Sequence, residues 1–452
     1  MQKKRMVKKI HFIGIGGISM SALAKLCLIW GAQVSGSDRV YSKVVEELIE
    51  WGAEVYVGEN EKMVLDADLV VYNGAIKNDN PEFRIALNGG KKIISREYFL
   101  YEISNEFDKT IAVSGTHGKT TVCGMVSKVL EENDALYTVH VGGQTEKGNL
   151  IYKGKDIFVT EACEYNRSFL ALRPDIGVIL NVEMDHPDTY KNTDELCSAF
   201  LSFASGIKRD GVLITNADSE NYNIIKSAYK DRFTYAIKNT ADLTATNIIN
   251  YGNGFYGFQI VQNGYPNCDI RLGVEGYHNI YNALATFACS LRLGIDRRVI
   301  QRGIEKFKGV KGRFEYLGVR KGALLYRDYA HHPTEIRASL QTARERANGG
   351  KIITLFQPHT LLRTEALFDD FLLALSQTDK LYVLKEYVAR KEEGGKSAYE
   401  LYRALREKEV DVRYYDTQLE LVSDVLSELR SGDLVLVLGA GDIADVGSLL
   451  IK

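Results

Sequence analysis

TIAVSGTHGKTTVC (Thr110–Cys123) decides how the rest of the chain is read. The small and apolar run Ile111-Ala112-Val113-Ser114 leads into Gly115-Thr116-His117-Gly118-Lys119-Thr120-Thr121, after which Val122, Met125, Val126, Val129 and Leu130 recur at spacings of three and four. The pattern predicts strand, glycine turn, helix. Gly115 and Gly118 let successive backbone N–H groups turn toward one anion. The positive end of the new helix adds to them. Lys119 supplies a mobile cation for outer phosphates, and the Thr120 hydroxyl can ligate Mg2+. The loop is the short G-x-x-G-K-T form, because Val113 stands where the longer motif has its first glycine.

Outward from that loop, 452 residues give a length prior of about three domains. With 45% hydrophobic and 26% charged residues, large cores are expected and disorder is not. A net charge of −2 carries no nucleic-acid footprint, so anionic ligands must be held by local sites. Six scattered cysteines without a C-x-x-C pair read as reduced, buried thiols of a cytosolic protein, and no zinc site is visible. The basic start MQKKRMVKK precedes a stretch, Ile10–Ile18, too short and glycine-rich for a signal segment. No window approaches 18 uninterrupted apolar residues, so no membrane insertion is expected.

Upstream, Lys9–Ile13 reads as a strand running into Gly14-Ile15-Gly16-Gly17-Ile18-Ser19 and a helix through Ala22, Leu23, Leu26 and Cys27. A second strand, Ala32–Ser35, ends at Ser37-Asp38. This is the layout of a dinucleotide-binding βαβ unit, with an acid roughly 20 residues beyond the glycine turn. Ser19 replaces the third glycine. Strands at Leu69–Tyr72 and Lys92–Ile94 follow, and Asn73 begins a loop at a strand's C-terminal end. The first domain is expected to span 1–106.

Downstream, the strand Asp156–Thr160 ends in Glu161-Ala162-Cys163-Glu164, and Ile176–Leu180 ends in Asn181-Val182-Glu183-Met184-Asp185-His186-Pro187-Asp188. Acids and a histidine at strand ends beside a phosphate loop suit a Mg2+ ion. Residues 243–274 alternate, with turn signals Asn253-Gly254 and Asn263-Gly264, and predict a small antiparallel excursion. Asn279 and Asn282 share one helix face and can either cap or read an adenine edge. A basic glycine turn, Gly309–Phe314 with Arg313, closes a central domain of 107–315.

In 316–452, strands Ala323–Arg327, Ile352–Phe356, Lys380–Leu384, Val410–Tyr414 and Leu434–Leu438 alternate with helices. Polar clusters end three of them: Asp328-Tyr329-Ala330-His331-His332-Pro333, Gln357-Pro358-His359-Thr360 with Arg363, and Gly439-Ala440-Gly441-Asp442. The adjacent histidines do not converge as metal ligands do.

Three α/β units, with a glycine fingerprint in the first and GTHGKTT in the second, resemble the Mur ligases of bacterial cell-wall synthesis. The likeness runs from HFIGIGG (11–17) to VLGAGDI (437–443). Two branches of the family share GTHGKTT, the Glu161–Tyr165 segment and the Asp328–Thr334 segment. Phe356–His359 with Arg363-Thr364, and Gly439–Asp442, are typical of the branch that joins L-alanine to UDP-N-acetylmuramate. They are not typical of the branch that recycles whole peptides onto the same sugar nucleotide. One departure is Thr360-Leu361-Leu362, where an aromatic residue often precedes the final Arg-Thr. No candidate for the modified lysine of sister ligases stands in Asp194–Phe203, as the alanine branch implies.

The resemblance implies a fold of three domains: a Rossmann-like UDP-binding domain, a P-loop ATPase-like central domain and a Rossmann-like C-terminal domain. It implies ATP as cosubstrate and Mg2+ or Mn2+ as cofactor. Gly14, Gly16, Gly17, Ser37, Asp38 and Asn73 would then meet the uridine nucleotide, against the plain dinucleotide reading. Gly115–Thr121 would hold ATP phosphates, and Asn279 and Asn282 the adenine. Arg313 and Asp328 would face the nucleotide, and Thr120, Glu161 and His186 would hold the metal. Tyr329, His359 and Arg363 would surround the amino acid.

The expected reaction activates the lactyl carboxylate as an acyl phosphate, which the amine then attacks. Lys119 and Arg313 offset anionic repulsion, and Asp328 or His332 takes the amine proton. Two other classes remain open at this point: a nicotinamide-dependent oxidoreductase resting on the first domain, and a non-catalytic ATP-gated sensor. Monomer and homodimer are equally open.

Overall fold

The computed structural model describes residues 8–145, 148–227, 229–388 and 394–451, and the basic residues 1–7 lie outside these ranges. Strand β1 (Lys9–Ile13) is buried along nearly its whole length, as a parallel strand covered on both faces must be. It lies in a five-stranded parallel sheet with β2 (Gln33–Asp38), β3 (Glu54–Val57), β4 (Leu69–Tyr72) and β5 (Lys92–Ser95), ordered β3-β2-β1-β4-β5. The order reverses between β1 and β4, which opens a crevice over their C-terminal ends, where ligands of open α/β sheets bind.

The central sheet has ten strands. They are β6 (Lys109–Ser114), β7 (Tyr137–Thr145), β8 (Gly148–Tyr152), β9 (Ile157–Glu161), β10 (Ile176–Ile179), β11 (Val212–Asn216), β12 (Arg232–Ala236), β13 (Leu243–Asn250), β14 (Phe255–Gln262) and β15 (Tyr265–Glu275). Their order is β15-β14-β13-β12-β11-β10-β6-β9-β7-β8, parallel from β13 to β7 and antiparallel at both edges. The predicted excursion at 243–274 is therefore an extension of this sheet, because β13 pairs parallel with β12.

The third sheet joins β16 (Glu315–Arg320), β17 (Ala323–Asp328), β18 (Ile352–Phe356), β19 (Lys380–Leu384), β20 (Val412–Tyr415) and β21 (Leu434–Leu438) in the order β16-β17-β21-β18-β19-β20, with only β16 antiparallel. The fold is thus three α/β units with mostly parallel sheets.

The two junctions between units differ in chemistry. One apolar core runs from Phe12 and Leu23 of the first unit to Ala112, Phe158 and Phe200 of the second. The central and C-terminal units meet instead through polar side chains. Thr334 Oγ1 donates to Glu183 (2.6 Å), Tyr256 OH donates to Glu345 (2.5 Å), and Arg363 pairs with Asp185. Polar interfaces of this kind permit relative motion more readily than a shared core does. Among the described residues no helix is long and apolar enough to cross a membrane.

Candidate active site

β6 delivers the glycine loop between β10 and β9. Gly115 (φ 130°) and Gly118 (φ 86°) both take backbone conformations that favour glycine. A Cβ on Gly118 would stand 2.7 Å from Asn282 Oδ1, and one on Gly115 would stand 2.9 Å from the Leu180 side chain. The loop is pinned from outside: Thr116 Oγ1 donates to the Glu183 carbonyl (3.0 Å), and the His117 N–H donates to Asn181 Oδ1 (2.8 Å). Helix Lys119–Glu132 starts directly behind it, with Gly118 as N-cap and no side chain capping its first N–H groups. Thr121, in its first turn, lines the adjoining cavity.

Lys119 lies folded over the loop, donating to the carbonyls of Gly115 (2.5 Å) and Thr116 (3.0 Å) and to Glu164 (2.9 Å). Burial opposes its charge, but Glu164 and neighbouring groups more than compensate and hold its pKa above the ordinary lysine value. Glu164 is 1% exposed.

His117 bridges two units. Its Nδ1 is 3.2 Å from Glu335 and its Nε2 3.6 Å from Glu183. Burial disfavours the imidazolium, yet the two carboxylates raise its pKa to about 10. Glu183 is half-buried, which disfavours its carboxylate, but His117 and Thr334 bring its pKa down to about 2. The guanidinium of Arg313 stands 3.8 Å from Glu335 and over the Tyr329 ring.

A cavity of about 890 Å³ opens from the loop toward the hinge. His117, Gly118 and Thr121 line it at one end, Asn279, Asn282, Arg313 and Asp328 along its walls. The two asparagines sit inside helix His278–Arg292, whose N-cap residue Tyr277 makes no side-chain cap. Asn279 Nδ2 donates to the Glu275 carbonyl (2.7 Å) and Asn282 Nδ2 to Asn279 Oδ1 (2.9 Å), so the pair faces the cavity as a bonded unit. Burial raises the Asp328 carboxyl to about 6, partly offset by Arg313 and by the Ser339 hydroxyl that donates to it.

His332 has both ring nitrogens engaged. Nδ1 accepts from the Thr334 N–H (3.2 Å) and Nε2 donates to the Met184 carbonyl (3.1 Å). It starts helix Pro333–Ala347 in a capping box with Glu335.

Glu161, at the end of β9, keeps a buried Oε1 without a hydrogen-bond partner among the described residues. Its other oxygen packs on Gly142, while Thr120 packs on neighbouring Gly143, so both line the same short segment of β7. His186 adopts φ 55°, and its Nε2 is 3.8 Å from Glu164. A buried orphan carboxylate oxygen beside a hydroxyl fits a hard divalent cation, and the His186 imidazole stands beside the neighbouring Glu164. His117, Glu183 and His332 also lie within ligand distance of one another. The ring nitrogens of His332 are already bonded there, and His117 is held as a cation, so that group does not suit a metal.

Over the first sheet, Gly14 (φ 80°) ends β1, and a Cβ on it would meet Asn73 Nδ2 at 2.7 Å. Gly16 N–H donates to Asp38 Oδ2 (2.8 Å), and the Gly14 and Ile15 N–H groups donate to the Ser37 carbonyl. Gly17 is the N-cap of helix Ile18–Ile29 and makes no side-chain cap. Asp38 thus closes the glycine turn, and the Ser37 hydroxyl turns away to the buried Glu82. Gly14, Gly16, Gly17, Asp38 and Asn73 converge at the β1–β4 crevice, whereas Ser37 contributes its backbone.

In the C-terminal unit, Tyr329 is 44% exposed beside Arg313. Arg363 is 4% exposed; its Nε donates to Asp185 (2.7 Å) and its Nη1 to His359 Nδ1 (3.1 Å). Burial and the adjacent guanidinium bring His359 down to about 4.

Glu164, Asp185 and Glu335 are the partners that reading the sequence left without roles. The first two stood in quoted strand-end clusters, and Glu335 was signalled by the His332-x-x-Glu335 capping spacing.

A glycine loop, a hinge cavity and three strand-end clusters meeting at one junction define a nucleotide-dependent enzyme built from three α/β units. Residues 9–108 match the Mur ligase family catalytic domain, 113–290 the Mur ligase middle domain, and 312–441 the Mur ligase glutamate ligase domain. The chain belongs to the Mur ligase family. It is 42% identical over 451 residues to the UDP-N-acetylmuramate–L-alanine ligase of Clostridium tetani, covering 99% of this chain and 98% of that one. It is 41% identical to the protein of the same description from Clostridium acetobutylicum, covering 100% and 99%. Among solved structures, the UDP-N-acetylmuramate–alanine ligase of Thermotoga maritima superposes with a TM-score of 0.83 at 28% identity, covering 98% of both chains. A murein peptide ligase of Psychrobacter arcticus shares the fold, with a TM-score of 0.73 at 21% identity and 98% coverage of both.

Proposed function

We propose that this chain joins L-alanine to the lactyl carboxylate of UDP-N-acetylmuramate with consumption of ATP. The observation that carries the reading is the convergence of the glycine loop, Arg313 and Arg363 where the central and C-terminal units meet, in a chain that aligns end to end with alanine-adding relatives. Residues 1–106 would hold the sugar nucleotide, 107–315 ATP, and 316–452 the amino acid. The nicotinamide reading leaves the glycine loop at Gly115–Thr121 and the whole C-terminal unit without a role.

In the first step the lactyl carboxylate attacks the γ-phosphorus and ADP leaves. The N–H groups of the Lys119–Glu132 helix, Lys119 and Arg313 stabilise charge on the transferred group. Lys119 must swing from Glu164 toward the phosphates to do so. Thr120, Glu161 and His186 would hold a divalent cation, which supplies further charge neutralisation.

In the second step the amine attacks the acyl carbon, phosphate leaves, and a proton is lost from nitrogen. With both His332 nitrogens bonded, Asp328 is the better acceptor of the two candidates, because its carboxyl titrates near 6. The polar junction between the central and C-terminal units lets them close on the acyl phosphate and exclude water.

The test is phosphate release with ATP, Mg2+, UDP-N-acetylmuramate and each amino acid in turn. Release with L-alanine well above the other amino acids supports the reading. Release only with a preformed peptide would assign the chain to the recycling reaction instead.

A further inference from the structure

Asp185 and Arg363 form a buried ion pair between units. Asp185 lies in the segment after β10, and Arg363 lies on helix Leu361–Ala366 of the C-terminal unit. The Nε–Oδ1 distance is 2.7 Å, and each side chain is 5% exposed. Burying two charges costs about as much as their attraction returns, so such a pair is a poor choice for stability alone. Its surroundings are organised around both charges. His359 accepts from Arg363 Nη1 through its ring (3.1 Å) and its carbonyl (3.2 Å). The His186 N–H donates to Asp185 Oδ1 (2.7 Å).

An α-amino acid is itself a carboxylate and an ammonium held a fixed, short distance apart. Placed between Asp185 and Arg363, it gives its carboxylate to the guanidinium and its ammonium to the aspartate. Each buried charge exchanges one opposite partner for another, and none is stranded. The two residues sit on units joined by polar contacts, so the pair can part as the units separate without opening a core.

We propose that Asp185 receives the α-ammonium of the incoming amino acid, the Asp185–Arg363 pair being the chain's own substitute for the substrate's two charges. This rests on Arg363 as the partner of the amino-acid carboxylate. It makes recognition conditional on both charges. An acid without the amine leaves Asp185 buried and unpaired, and an amine without the acid does the same to Arg363.

The experiment uses the full chain with ATP, Mg2+ and UDP-N-acetylmuramate, and measures competition against L-alanine by propionate and by L-alaninamide. In the parent, propionate should bind about 30-fold or more weaker than L-alanine, the scale of stranding one buried charge. In Asp185→Asn that ratio should fall below about threefold, and Asp185→Glu should keep it. If Asp185→Asn weakens L-alanine and propionate equally, Asp185 merely aims Arg363 and the proposal is overturned. Propionate binding as tightly as L-alanine to the parent chain overturns it without any variant, should the substitution prevent folding. L-alaninamide binding as tightly as L-alanine would instead remove Arg363 from the carboxylate. The two failures are therefore told apart by which analogue reveals them.

Discussion

Lys119 Nζ sits 2.9 Å from Glu164 Oε2, and Glu164 is 1% exposed beneath the glycine loop. The cation proposed to meet the phosphates is therefore parked on a buried carboxylate. Lys119→Ala should lower turnover by at least about a hundredfold, the scale of losing one preorganised charge donor. It should also destabilise the chain by ~3–5 kcal/mol, because Glu164 is left buried and alone. Adding Glu164→Gln should recover most of that stability and none of the turnover. Phosphate release and chemical denaturation of the single and double variants check both halves. Unchanged stability in Lys119→Ala would show the pair to be incidental.

Gly118 combines φ 86° with a neighbour, Asn282 Oδ1, 2.7 Å from where a Cβ would be. Gly118→Ala should cost ~1–3 kcal/mol in strained backbone and displace the Asn279–Asn282 unit from the cavity wall. The KM for ATP should rise, with the KM for the sugar nucleotide little changed. A rise in the second constant alone would separate the loop from ATP.

His117 gives the stability a pH signature. Its pKa is raised from 6.5 to about 10 in the folded chain, so the folded state binds the extra proton between those values. Its stabilising contribution is complete below about pH 6.5 and is lost as pH rises through about 10. Urea midpoints measured across that window should fall with pH, and the slope should shrink in His117→Gln. An identical slope in the variant would mean that His117 is not held as the imidazolium between Glu183 and Glu335.

Several strands buried on both faces were legible in the sequence. Ile352–Phe356, Lys380–Leu384 and Leu434–Leu438 occur with the boundaries their apolar runs suggest. Two edge strands escaped notice: Glu54–Val57 is short and largely exposed, and Glu315–Arg320 is broken by Gly318. Asn263-Gly264 announced its hairpin through local backbone chemistry, with φ 50° and 82°. That β13 would lie along β12 was not local information. The same divide separates the site residues. Loop glycines and Lys119 follow from chemistry within a few residues. The partners Glu164, Asp185 and Glu335 are brought in from 45 residues away or by a different sheet. Ser37 looked available beside Asp38, but its side chain points to Glu82, a residue of another helix.

Under the proposed reaction, Arg363 acts in the second half-reaction only. Acyl-phosphate formation needs ATP, metal and sugar nucleotide only, so Arg363→Lys should leave borohydride trapping of the acyl phosphate intact while raising the KM for L-alanine tens-fold. Lysine keeps a charge beside Asp185 but loses the two-pronged hydrogen bonding of the guanidinium. Loss of trapping together with turnover would place Arg363 in the first half-reaction.

The first unit should take a uridine sugar nucleotide and not NAD, since Ser19 stands where the dinucleotide fingerprint has its third glycine. Calorimetric titration of the full chain with each ligand checks this. Tight NAD binding without sugar-nucleotide binding would return the oxidoreductase reading.

The position of β6 has a consequence for how the protein is born. Its neighbours, β9 and β10, both come later in the chain, and Leu180 fills the space against Gly115. As the polypeptide leaves the ribosome, the whole glycine motif emerges by residue 121, yet the walls that shape it are not synthesised until residues 157–183. A nascent chain halted between those points carries every residue of the signature and nothing that can grip a phosphate. ATP can therefore act as a folding ligand only once β10 has slotted beside β6, and a stall before β9 is made leaves an apolar strand open on both edges to quality-control proteases.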